Sequence, residues 1–204
     1  MRSLEVDAAH LWGSLQRGEE KALHSLYHLF RDDLFSYARR ITGQEDSARN
    51  GIQELFVRLW NNRQTLGEAR SVKAYLLGIL RRILMEEIKN GRKQYSLLQT
   101  YPEDNSFGDF SPEDVVILDE ESRLKKEFVA YMLNSLTAKQ REIVYLKYYE
   151  ELSISEIADL LNINYQSVIN HLQRAFLKVR SQTTPQQLAA LLSAIGLVAI
   201  LASF

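Results

Sequence analysis

Residues Glu151 to Arg180 read ELSISEIADLLNINYQSVINHLQRAFLKVR, and the stretch predicts two helices joined by a tight turn. Ser153 can cap the first helix while Glu156, three residues on, reaches back to the same cap. Ile157, Ala158, Leu160 and Leu161 then give a short apolar face. Asn162 stands where the chain must turn, and asparagine tolerates the left-handed conformation that a helix exit often needs. Asn164 can cap the next helix, whose inner side carries Val168, Leu172, Ala175, Phe176 and Val179 at spacings of three and four. The other side offers Tyr165, Gln166, Ser167, Asn170, His171, Arg174 and Lys178, and no carboxylate occurs from Asn164 to Arg180. Donors and acceptors for base edges, beside cations for phosphates, are what reading a DNA major groove requires. An ordinary helical hairpin with a solvated face is the competing interpretation of this segment taken alone.

The rest of the chain fits a helical reading. Its 204 residues include only three prolines and nine glycines, long stretches follow helical periodicity, and no strand-type alternation stands out. An all-α protein is expected. Cysteine is absent, so there is no disulfide framework or thiolate metal site, and a reducing cytoplasm is a natural home. The opening MRSLEVDAAHLWG has no apolar core of signal-peptide length, and export is not expected. A net charge of −1 hides segregation: Val57 to Lys93 holds nine Lys/Arg against three Glu, and Tyr101 to Glu121 holds eight Asp/Glu and no Lys/Arg. The basic block is interleaved with Leu, Ile, Trp and Tyr, which predicts structured helices whose field is aimed at phosphates. The acidic stretch would repel DNA or shield the basic surface.

Upstream, Leu23, Leu26, Leu29, Phe30, Leu34, Tyr37, Ala38 and Ile41 make one apolar stripe, ended by Gly43. Ile52, Leu55, Phe56, Leu59 and Trp60 make a second, and Val72, Tyr75, Leu76, Ile79, Leu80, Ile83 and Ile88 a third. Three such stripes can bury a small common core. The pattern then breaks in a segment with Pro102, Gly108 and many acids, read as an inter-domain linker. Helix is expected to resume at SPED, with Ser111 as cap and Pro112 at the first helical position. Leu124, Phe128, Tyr131, Met132 and Leu136 carry it into a second domain, where Thr137 and Gln140 form another capping box. The expected division is a first helical domain over 6–93, a linker over 94–111, a second domain over 112–182 and an apolar C-terminal helix over 184–204.

Taken together, these residues resemble the extracytoplasmic-function sigma factors of bacterial RNA polymerase, over roughly Leu11 to Arg180. LTAKQREIVYLKYYEELSISEIADLLNINYQSVINHLQRAFLKVR is similar to the family's region four, which reads the −35 promoter element. ARNGIQELFVRLWNNR resembles region two, where a helix that binds the polymerase clamp precedes the −10 reading surface. VKAYLLGILRRILMEEIKNGRK is similar to the helix that contacts −10 DNA. The resemblance implies core RNA polymerase and promoter DNA as partners, an anti-sigma factor as a further partner, no cofactor and no bond chemistry. It implies −35 contacts from the face around Gln166, Asn170 and His171, with Arg174 and Lys178 on phosphates. It puts −10 recognition at Trp60, Asn61, Asn62, Arg63 and Tyr75, with Arg81, Arg82 and Lys89 on the backbone. It assigns polymerase binding to Gln53, Glu54, Phe56 and Leu59, with Asp46 close by. The chain departs from the family pattern at Arg49 and Asn50, where two acidic residues are common. It departs again at Arg82 and Glu86, where Asn and Asp are common, and at Tyr75, where Trp is usual.

Two other function classes stay open at this point: a stand-alone helix-turn-helix regulator, and an adaptor or anti-sigma protein that mimics a sigma factor. Catalysis has little support. His24 and His28 lie one helical turn apart, but no third or fourth metal ligand has sensible spacing, and there is no Gly-rich phosphate loop. No metal site is expected. The end of the chain, LAALLSAIGLVAILASF from Leu188 to Phe204, has seventeen uncharged residues. Thr184, Pro185 and Gln187 signal a helix start before it. At 1.5 Å per residue it would extend about 25 Å, the short edge of a membrane span. Docking on protein and membrane association through 188–204 are both expectations for it.

Overall fold

The structure is a computed structural model that describes residues 2–95, 107–114 and 123–184. All regular secondary structure among the described residues is helical, as the periodicity predicts. The chain divides into two compact units, Met1–Tyr101 and Pro102–Phe204. None of the described helices is long and apolar enough to cross a membrane.

The first unit contains α1 (Arg2–Gln16), α2 (Glu20–Thr42), α3 (Glu45–Asn61) and α4 (Val72–Tyr95). α2 packs on the other three helices, and α3 also packs on α4. The α2 stripe buries Leu26, Phe30, Leu34, Tyr37, Ala38 and Ile41, and Gly43 ends the helix at φ 68°, its N–H donating to Arg39 O at 2.8 Å. α3 buries Ile52, Leu55, Phe56 and Leu59. α4 buries Leu77 and Leu84 besides Val72, Leu76, Leu80 and Ile83, because a helix touching both α2 and α3 needs a face wider than one stripe. α3 and α4 meet closely at Gly51, where an added Cβ would stand 2.5 Å from Leu84 Cδ2. α1 closes the bundle with Ala8, Trp12 and Leu15.

The second unit contains a 3₁₀ turn at Pro112–Asp114 and then α5 (Arg123–Asn134), α6 (Ala138–Tyr148), α7 (Ile154–Leu161) and α8 (Tyr165–Ser181). Both expected capping boxes form, at Thr137 with Gln140 and at Ser153 with Glu156. Asn162 adopts the left-handed conformation, φ 51° and ψ 48°. Its N–H donates to Asp159 O at 3.3 Å, and the Ile163 N–H donates to Ala158 O at 3.0 Å. This is the paired 5→2 and 6→1 exit that satisfies the last carbonyls of a helix. Asn164 Oδ1 then accepts the Ser167 N–H at 2.7 Å to start α8.

Three features differ from the sequence reading. The expected linker, 94–111, runs into folded structure, because Phe107 and Phe110 are buried against Tyr145 with ring centroids 5.6 and 6.3 Å away. Asn134 brackets Phe110, its Oδ1 accepting the N–H at 2.7 Å and its Nδ2 donating to the carbonyl at 2.9 Å. Arg141 donates to Phe107 O at 3.0 Å and pairs with Asp109 at 3.0 Å. Two aromatic residues three apart, with side-chain partners for their backbone, suffice to pack a segment that composition marks as loop. Secondly, the SPED segment makes a short 3₁₀ turn at Pro112–Asp114, while residues 115–122, through which the expected helix would run, lie outside the described residues. Thirdly, Tyr131, expected in the α5 stripe, is 70% exposed. The expected linker residues 96–106 and the expected C-terminal helix beyond Thr184 lie outside the described residues.

Candidate nucleic-acid interface

α8 stands on α6 and α7 and buries Val168 and Ala175, with Leu172, Phe176 and Val179 half-buried beside them. This leaves an outer face of Tyr165, Gln166, Asn170 and Arg174, all exposed, with Tyr165 at 53%. Gln166 Nε2 donates to Asn170 Oδ1 at 3.1 Å, so the two amides form one unit a helical turn apart. Ser167 and His171 are half-buried at the edge of the face. Lys178 departs from expectation: its Nζ donates to the carbonyl oxygen of Ser135, in the connection from α5 to α6. It therefore braces the fold instead of standing out toward a phosphate. Two further residues belong to the face. Gln173 is exposed three positions after Asn170, and Leu177 is 60% exposed one turn beyond. The i, i+3, i+4 spacing was enough to find Gln173.

In the first unit, part of the expected −10 and polymerase set lines two grooves, while Asp46, Glu54, Arg63, Arg81 and Lys89 line neither. One, of about 920 Å³, runs between α2 and α3 and includes Tyr27, Arg31, Arg49, Gln53, Phe56, Trp60 and Asn61 in its lining. The other, of about 310 Å³, is lined by Arg58, Leu59, Asn62, Thr65, Leu66, Tyr75, Ile79, Arg82 and Glu86. Asn62, Tyr75 and Arg82 are thus brought together, whereas Trp60 and Asn61 share a groove with the expected polymerase contacts Gln53 and Phe56. The expected polymerase contact Leu59 is 1% exposed and belongs to the bundle core. Phe56 is buried and meets Tyr27 edge-on at 5.3 Å. Asp46 and Glu54 are exposed, and Glu54 is paired with Arg58 at 2.7 Å. That hydrogen bond is the main cause raising the Arg58 pKa above its ordinary value.

Trp60 is half-buried. The Arg63 guanidinium lies 4.1 Å over its ring and donates to the Trp60 carbonyl at 2.8 Å, a cation–π contact that orders the turn after α3. Asn62 caps that helix with its own amide, Nδ2 donating to Arg58 O at 2.8 Å. Tyr75 is 37% exposed, with its ring edge-on to Trp12 at 5.0 Å. Arg82 and Lys89 are exposed on α4, and Arg81 is half-buried. Arg49 reaches back to Glu45 at 2.5 Å and lies 5.4 Å over Phe35. Its hydrogen bond is the leading cause lowering the Glu45 pKa. The α2–α3 groove therefore carries a cation where the family pattern has acid.

His24 and His28 sit on the exposed side of α2 with Nε2 atoms 3.0 Å apart. Among the described residues, no group of three or more His, Cys, Asp or Glu is placed to hold a metal ion.

Comparison with known proteins gives matching results for both halves. Residues 26–94 match the description Sigma-70 region 2, and residues 129–179 match Sigma-70, region 4. The chain is similar to the ECF RNA polymerase sigma factor SigW of Bacillus subtilis (strain 168), 25% identical over 177 residues that cover 82% of this chain and 92% of that protein. It is also similar to the ECF RNA polymerase sigma factor SigL of Mycobacterium tuberculosis, 25% identical over 163 residues, 79% of this chain and 89% of that one. Among solved structures it shares its fold with CnrH, in complex with the cytosolic domain of CnrY, at a TM-score of 0.58 and 19% identity over 86% of this chain and 96% of CnrH. It shares it likewise with RpoE in complex with the anti-sigma factor NepR from Bartonella quintana, at 0.57 and 17% identity over 79% and 96%.

Proposed function

This chain belongs to the sigma-70 family, as an RNA polymerase sigma factor of the extracytoplasmic-function type, and on that premise we propose how its residues divide the work. The protein directs core RNA polymerase to promoters. The α2–α3 groove, with Gln53 and Phe56 in its wall and Asp46 nearby, docks the polymerase. Trp60 and Asn61 border that same groove, so the docked polymerase and the −10 strand meet there. Asn62 and Tyr75, gathered in the smaller groove, take the −10 bases together with Arg63 from the turn after α3, while Arg82 of the same groove, Arg81 and Lys89 hold the backbone. Stacking and edge contacts suit a base drawn out of the duplex, each stacked base contributing about 1–3 kcal/mol. α8 reads the −35 element through Tyr165, Gln166, Ser167, Asn170, His171 and Arg174.

The observation that carries this reading is the carboxylate-free outer face of α8 on a helix–turn–helix whose turn is fixed at Asn162. The working division is 6–93 for region two and 112–182 for region four, the latter extended back to Phe107 by its buried contacts. By analogy with the two structural neighbours solved with CnrY and NepR, an anti-sigma factor is the natural antagonist. Its partners require the cytoplasm.

Run-off transcription by core polymerase on a fragmented genomic library, with and without this protein, tests the whole reading. Starts that appear only on its addition, aligned over two shared upstream elements, are expected. Core binding without new starts would point instead to a sigma-mimicking adaptor. DNA binding without core binding would point to a stand-alone regulator.

A further inference from the structure

The ten residues that link α3 to α4 contain the 3₁₀ turn Arg63–Thr65 and then run without regular structure to Ser71. Loops that present bases must hold their shape before the ligand arrives, because ordering them on binding subtracts from affinity and specificity. α1 supplies the restraint here. The Trp12 indole N–H donates to Gly67 O at 3.0 Å, across 55 residues of sequence. Gln16 Nε2 donates to Leu66 O at 2.7 Å and to Gly67 O at 3.3 Å. Trp12 is 3% exposed, and the same ring that carries this donor meets Tyr75 edge-on. One α1 residue thus touches both the linking loop and the first turn of α4. Two side chains one turn apart on a packed helix hold consecutive carbonyls of a segment that has no ladder of its own.

We propose that Trp12 and Gln16 are positioning residues for −10 recognition, fixing the loop and Tyr75 relative to Asn62 so that the smaller groove is pre-shaped for a base. This rests on the reading of that groove as the −10 site. The two residues touch no DNA in this scheme; they act through Leu66, Gly67 and Tyr75.

Gln16→Leu removes the donor at a half-buried position with little change in volume, and Trp12→Phe removes the N–H while keeping an aromatic ring. Each is reconstituted with core polymerase, and open-complex formation is measured on a promoter mapped by the run-off assay and on copies with a substituted −10 or −35 element. The expected result is that the ratio between the intact and the −10-substituted promoter shrinks about fivefold to tenfold, the loss of one hydrogen bond that orders a site. Core affinity and the ratio for the −35 substitution stay as in wild type. A uniform drop in activity with an unchanged −10 ratio would make the two residues merely structural and overturn the proposal. Asn62→Ala, run in parallel, separates the two levels of the argument. If it also leaves the −10 ratio unchanged, the groove itself is misassigned; if it alone shrinks the ratio, the groove stands and the role of Trp12 and Gln16 falls. Should Trp12→Phe fail to fold, Gln16→Leu decides the matter.

Discussion

The ammonium of Lys178 donates to the carbonyl oxygen of Ser135, tying the C-terminal half of α8 to the connection ahead of α6. Arg174, one turn earlier, is exposed on the outer face. The two cations are therefore expected to behave differently. Arg174→Ala should lower the salt dependence of −35 duplex binding by about 0.9 in log–log slope, the signature of one lost phosphate contact. Lys178→Ala should leave that slope alone and lower stability by about 1 kcal/mol. Titrations across a salt series, with urea melts of both variants, distinguish them; equal slope changes would return Lys178 to the DNA-facing set.

Asn162 tests the turn of the helix–turn–helix. Its left-handed backbone carries a penalty of about 1–2 kcal/mol for an ordinary L-residue, which asparagine partly escapes and glycine escapes altogether. Asn162→Ala is expected to destabilise by about 1 kcal/mol, while Asn162→Gly stays within a few tenths of wild type. Urea denaturation followed by circular dichroism reads both. An alanine variant as stable as wild type would show that the turn can relax to another path.

At Gly51 two effects oppose each other. Alanine gains about 1 kcal/mol of helix propensity over glycine, but its methyl would meet Leu84 Cδ2 at 2.5 Å. Leu84 is fully buried, and overpacking costs about 1–3 kcal/mol. Gly51→Ala should lose about 1 kcal/mol net, measured as a lower urea midpoint with unchanged m. Combining it with Leu84→Val should recover part of the loss, since the smaller side chain makes room.

Burial pushes the Tyr148 phenol up to about 12. A folded-state pKa above the unfolded value, about 10 for tyrosine, means that the unfolded chain gives up the proton first. The stabilisation is complete below pH 10 and declines as pH rises toward 12. Tyr148→Phe should remove this part of the alkaline loss, so that wild type and variant diverge above pH 10. Parallel denaturation curves at pH 9 and pH 11 check it; a constant difference between the two proteins would refute it.

Much of the helical frame could be read directly from the chain, and the reasons are local. The two capping boxes, Asn162 and Gly43 depend on residues no more than five apart, and such signals survive in sequence. The helical stripes likewise marked α2, α3 and α4. What escaped detection depends on distant partners. Nothing near Trp12 announces that its indole meets a carbonyl 55 residues away. Phe107 and Phe110 look like isolated aromatics in an acidic loop until Asn134 and Arg141 fold onto them. Leu59 is a different case: its place on the α3 stripe was legible, and burial in the core sets that stripe against the polymerase contact the family position implies. Lys178 reads as a DNA-facing cation because its charge is visible in sequence and its acceptor, a backbone carbonyl, is not.

The hydrogen bond from Gln166 to Asn170 has a consequence for retargeting this factor to other promoters. The two amides orient one another; if α8 reads the −35 element as proposed, replacing either alone strands a polar group that its neighbour had satisfied when DNA excludes water from both. A library that varies these positions singly would measure the loss of an intact partnership as if it were the value of a residue. New specificities will be found more readily by exchanging the pair as a single letter of the recognition alphabet.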